Sequence, residues 1–183
     1  MKNIALKITI IDGILISMAL ILSYVERLFP IGFIIPIPGI KIGLANIITI
    51  FALFYLDIKS AVIIAIIRCI ISSMLFGSVY SFLFSLSGAM IALIAMASLI
   101  RGYNRYFSIF GISIGGAAAH NIGQIIIATI LLKSSAVLPY LSILLFSAII
   151  TGTLTGFVSE KLIGYLDKIG ISKALICQKL SNS

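Results

Sequence analysis

The chain has 183 residues, of which 61% are apolar and only 10% charged, with a formal net charge of +8 and a mean hydropathy of +1.27. A soluble domain is roughly 25% charged, and one this small exposes too much of its chain to hide so much apolar surface, a difficulty that a lipid solvent removes. Fifteen glycines without a period of three and only four prolines exclude a collagen-like or low-complexity chain.

The apolar runs are continuous rather than alternating, which favours membrane helices over a β-barrel. The expected fold is an all-α integral membrane protein, a six-transmembrane-helix bundle forming one membrane domain over residues 1–183, with both termini cytoplasmic. The predicted spans are 8–28, 42–56, 60–76, 79–99, 108–132 and 139–160. Lys2 and Lys7 precede an apolar run that reaches Phe29 without a small-residue cleavage site, so the first span reads as retained. The loop from Phe29 to Lys41 holds three prolines and two glycines and cannot be a regular helix. Its residues are nonetheless apolar, so it is either a membrane-hugging connector or a cap over a cavity. The second span is short. The fifth is long enough to tilt or to bend at Gly115–Gly116. The tail from Gly164 to Lys179 mixes Leu166, Ile169, Leu175 and Ile176 with lysines, as a frayed tail or as a helix on the inner leaflet.

With the N-terminus inside, nine basic residues are cytoplasmic: Lys2, Lys7, Lys59, Arg101, Arg105, Lys161, Lys168, Lys173 and Lys179. Only Arg27, Lys41 and Lys133 fall outside. That bias follows the positive-inside rule with an even number of spans, so the net charge is a topology signal and implies no nucleic acid. Cys69 and Cys177 have no metal or disulfide spacing and read as free thiols.

Charges inside hydrocarbon are costly. Asp12, near the cytoplasmic end of the first span, reads as a structural carboxylate, reaching the interface or pairing with Lys7 or another base. Arg68 sits near the bilayer centre. It either ties helices through Glu26 or carbonyls, or clamps an anion. His120 and Gln124 are one turn apart and share a face with a structural or a binding use. Glu26, Lys41, Asn46 and Gln124 fall in the outer half, and Arg68 and His120 mark its lower limit. That coincidence of depth suggests one outward-facing polar pocket. Pairs of small residues four apart, such as Gly13 with Ser17, Ala19 with Ser23 and Gly152 with Gly156, suit close helix contacts. No GxxxxGK[ST] phosphate loop is present, and the five acidic residues never cluster as a Mg²⁺–diphosphate enzyme needs. The chain is therefore expected to be neither an ATPase nor a prenyltransferase, and to need no metal or other cofactor.

Pro38-Gly-Ile-Lys-Ile-Gly-Leu-Ala-Asn46 and Ala117-Ala-Ala-His-Asn-Ile-Gly-Gln124, with Ser23-Tyr-Val-Glu26 and Arg68, resemble the signature of one bacterial membrane family. It is called the Gx transporter or heptaprenyl diphosphate synthase component I family, and it resembles the substrate-binding subunits of energy-coupling-factor importers. The resemblance covers about residues 12–160. It implies a six-helix subunit of the bacterial cytoplasmic membrane that binds a small solute from outside, with a membrane coupling subunit and two cytoplasmic ATPases as partners. Glu26, Lys41, Asn46, Arg68, His120, Asn121 and Gln124 are then the candidate solute ligands. Gly13, Ser17, Ala19 and Ser23 are the candidate docking residues, although this first helix has no AxxxA. The alternatives are a non-transport accessory protein for a prenyl diphosphate or quinone pathway enzyme, and a lone channel or exporter.

Overall fold

A computed structural model describes residues 2–28 and 43–168. Among these the fold is all-helical: α1 (Lys2–Arg27), α2 (Asn46–Tyr55), α3 (Ile58–Phe76), α4 (Val79–Leu99), α5 (Ile109–Leu132) and α6 (Tyr140–Lys168). Side-chain caps start three of them. Asp57, Ser78 and Ser108 each accept a hydrogen bond from the backbone N–H three residues on, which satisfies one orphan donor of the first turn. The Phe29–Lys41 loop, Lys41 itself, Cys177 and the tail beyond Lys168 lie outside the described residues.

All the helices but α2 are long and apolar enough to cross a bilayer. The second span departs from the expected 42–56. Its helix has 10 residues and rises only about 15 Å, half of a hydrocarbon core of roughly 30 Å. Gly43, at φ +91°, opens a turn that leads into it. Two contacts fix the levels between which it runs. Glu26 on α1 meets Gly43, and Asp12 on α1 meets Ser60 at the start of α3. These α1 residues are about 21 Å apart along the helix, so the turn and α2 together cross that distance. α1 begins earlier and α6 runs further than expected, to Lys2 and Lys168.

The beginning of α1, the end of α2, the start of α3 and the end of α6 meet at one end of the bundle. Tyr55 Oη there donates to Asp167 Oδ1 at 3.0 Å and to the Ile163 carbonyl at 3.3 Å. The two ends of the described chain therefore share a side, as an even number of crossings requires.

Packing is tightest among α4, α5 and α6. Lipid is as apolar as a leucine, so helices in a bilayer associate through close contact rather than through hiding from water. A Cβ on Gly152 would stand 2.6 Å from Ile114 Cα, and one on Gly123 would stand 2.9 Å from Gly88 Cα. Only glycine lets these backbones touch. α5 is continuous through Gly115–Gly116, and those positions admit Leu99 and Met96 of α4. Ser87 Oγ to the Gly123 carbonyl (2.7 Å) and Ser113 Oγ with Thr155 Oγ1 (2.6 Å) add ties between these helices.

Candidate functional site

α1 presents Asp12, Leu15, Ala19, Ser23 and Glu26 to the bundle at helical spacing, and its opposite face is open to lipid. Glu26 faces into the bundle. It is 2% exposed, and its Oε1 accepts the Gly43 N–H. That contact seats the turn from Gly43 to Asn46 against α5. A Cβ on Gly43 would lie 3.0 Å from Asn46 Nδ2 and 3.4 Å from His120 Cδ2. The other edge of the His120 ring meets α4, where a Cβ on Gly88 would lie 2.8 Å from Cε1. The imidazole is thus held in a slot between two glycines. Its Nε2 is 2.9 Å from Gln124 Nε2. With the amide nitrogen donating, Nε2 is the acceptor and the ring proton sits on Nδ1.

One turn below Glu26 on the same face of α1, Ser23 Oγ accepts from Arg68 Nη1 at 3.3 Å. Arg68 is 3% exposed on the inward face of α3. Ser23 is its one hydrogen-bond partner among the described residues, and no carboxylate there pairs with it. The guanidinium carries five donors, so most of its capacity is left for another acceptor. Ser72, Ser81 and Ser85 are buried on the neighbouring stretches of α3 and α4.

Glu26, Asn46, His120 and Gln124 therefore converge, and Arg68 bonds Ser23, one turn along α1 from Glu26. Asn121 does not join them. It turns to α6, where its Nδ2 donates to the Leu144 carbonyl at 2.7 Å. The docking residues divide as well. Gly13 and Ser17 lie on the lipid-facing side of α1, whereas Ala19 and Ser23 are buried against the bundle and are unavailable to a partner. Ser23 is instead the partner of Arg68, a role its spacing to Ala19 concealed. Ser72, Ser81 and Ser85 carry little signal in the sequence, because serine is common in membrane helices; only a period of three to four on the inward face marks them.

Below this polar level the faces of α1, α2 and α3 that meet are mainly apolar. Leu15 and Ala19 on α1, Ile48 and Ala52 on α2, and Ile64 and Ala65 on α3 form one buried cluster. Asp12 and Ser60 lie beyond it, with Ser60 Oγ donating to Asp12 Oδ2 at 3.2 Å. On α1 and α3 the order is the same: polar, apolar, polar. No group of three or more His, Cys, Asp or Glu side chains suited to a metal ion occurs among the described residues.

A protein-family model described as heptaprenyl diphosphate synthase component I matches residues 15–162. The matched stretch carries every converging side chain described above. No curated protein matches the chain, and no solved structure does.

Proposed function

We propose that this chain, which belongs to the heptaprenyl diphosphate synthase component I family, is a membrane component that captures a small anionic solute in the outer half of its bundle. The observation that carries this reading is Arg68, a buried cation with one neutral partner among the described residues. A charge held near the centre of a membrane helix costs roughly 2.5–3.5 kcal/mol on insertion scales. An anion arriving from outside offsets that cost, and the converging Asn46, His120 and Gln124 give it hydrogen-bonding neighbours. Lys41 is a further candidate for the same anion, from its place in the family signature.

The reading extends to a substrate-binding subunit of an energy-coupling-factor importer in the bacterial cytoplasmic membrane. A membrane coupling subunit and two ATPases then supply the work of release. The apolar cluster of α1, α2 and α3 lies inward of Arg68 and supports a need for partners to release a bound anion. Gly13 and Ser17 are the docking residues left on the open face of α1.

The family's own description favours a second reading, an accessory membrane component serving a prenyl diphosphate-forming enzyme. Affinity purification from native membranes separates the two. The importer reading expects ATPase subunits to co-purify in stoichiometric amounts. A soluble prenyltransferase in their place would establish the accessory reading.

A further inference from the structure

The turn between α4 and α5 carries a second group of side chains, unrelated to the interior cation. Residues 103–108 separate two spans, one ending at Gly102 and the next beginning at Ile109, so the turn lies at the edge of the bilayer. It stands at the end of the bundle that holds both ends of the described chain. The Tyr103 ring there meets Phe54 edge-on at 4.9 Å, next to Tyr55 and its partner Asp167. The charge bias assigns that end to the cytoplasm.

The backbone makes this turn stiff. The Gly102 carbonyl accepts from the N–H groups of Arg105, Tyr106 and Phe107 at 2.9–3.2 Å, and the Asn104 N–H donates to the Phe107 carbonyl at 3.1 Å. Asn104 closes it with a left-handed φ of 63°, a conformation asparagine tolerates. What the turn displays is basic and aromatic. Arg101 and Arg105 are exposed, and Tyr106 is 71% and Phe107 40% exposed. Arg105 Cζ lies over the Tyr106 ring, 5.1 Å from its centroid. Such a contact uses the charge and leaves the five N–H donors for oxygen acceptors. Neither arginine has a carboxylate partner among the described residues.

α6 repeats the pairing at the same depth. Gly156 packs on Phe110, the second residue of α5, so Phe157 and Lys161 reach the level of the turn. Lys161 Nζ lies 5.5 Å from the centroid of the exposed Phe157 ring. Glu160 is also exposed at that level, and among the described residues it pairs with none of these bases. Aromatic rings at this depth lie in the headgroup layer, so lipid covers them. The bases beside them are attracted to anionic headgroups within a Debye length of the surface.

We propose that the α4–α5 turn is a docking surface for an anionic phospholipid of the inner leaflet, with Arg101 and Arg105 on its headgroup and Tyr106 beside it. This does not depend on solute capture by Arg68. The full chain in neutral detergent, titrated with dioleoyl phosphatidylglycerol or dioleoyl phosphatidylcholine and read by native mass spectrometry, tests it. The native chain retains phosphatidylglycerol in preference. Arg101→Gln and Arg105→Gln each weaken that retention roughly fivefold. Tyr106→Ala weakens it, and Tyr106→Phe does not. Lys59→Gln, which removes an exposed charge from the same end outside the turn, changes it far less. Every substituted side chain is exposed, so the variants melt with the native chain when lipid is absent. A native chain without preference, arginine variants that retain phosphatidylglycerol as the native chain does, or a Lys59→Gln loss as large as theirs overturns the proposal. So does a lower melting temperature of the arginine variants without lipid, which makes those side chains structural. Displacement of the lipid by inorganic phosphate at equal concentration makes the turn an anion site instead. An acidic protein that co-purifies with the native chain but not with the arginine variants, with no lipid preference, makes it a protein contact. Either result overturns the proposal too.

Discussion

Arg68 on α3 donates to Ser23 on α1 at 3.3 Å, and this bond joins the candidate site to the helix that carries the open face. Ser23 sits on the buried side of α1, while Gly13 and Ser17 sit on the side away from the bundle. One helix thus touches the interior cation and carries the face open to its surroundings. Anything that rotates or shifts α1 changes the surroundings of Arg68.

Arg68→Lys keeps the charge and loses the planar fork. If the fork grips an anion, the variant loses a charge-assisted bond worth about 1.5–3 kcal/mol, or roughly a tenfold to a hundredfold in affinity. If Arg68 serves only to tie α3 to α1, the melting temperature falls and the surviving folded protein binds normally. Solute titration beside a melting curve distinguishes these outcomes.

The division of the α1 small residues makes a paired prediction. Gly13→Leu meets open space, since nothing lies within 4 Å of its Cβ position, so the chain folds and loses co-purifying partners. Ala19→Leu forces a larger group into a 1% exposed site and lowers stability by about 1–3 kcal/mol. Equal loss of stability in both variants contradicts the placement of α1.

Gly43→Ala tests the turn that seats Asn46. At φ +91° an L side chain is strained, and its Cβ would press on Asn46 and His120. The expected cost is about 1–3 kcal/mol, with solute affinity reduced as Asn46 is displaced. A variant that melts and binds as the native chain does removes Gly43 from the site.

The sidedness follows from the charge bias. With Cys69 and Cys177 replaced, Ser134→Cys reacts with an impermeant thiol reagent from outside, and Asn104→Cys does not. The opposite labelling inverts the orientation and with it the outward site.

Much of this architecture was legible in the sequence, because continuous apolar runs in lipid have few alternatives to helices. The inward placement of Arg68 was legible for a related reason: a fixed charge at that depth is held away from lipid by its cost. The seat of Glu26 was not. Its partner is the backbone N–H of Gly43, and a main-chain donor has no side-chain signature. The extent of α2 was obscured because the apolar run continues through a turn that only a positive φ at Gly43 marks. The split of Gly13 and Ser17 from Ala19 and Ser23 was readable from helical phase alone. Six residues turn a helix by about 600°, which leaves the two pairs about 120° apart. A spacing of four within each pair hid the offset between them.

Capture of an anion by Arg68 is tested most directly by native mass spectrometry of the chain released gently from its own membranes. The account predicts that the native chain carries one small acidic molecule per protein and that folded Arg68→Ala carries none. A native chain that arrives empty from solute-replete cells, or an Arg68→Ala variant that keeps the same molecule at the same occupancy, would contradict it.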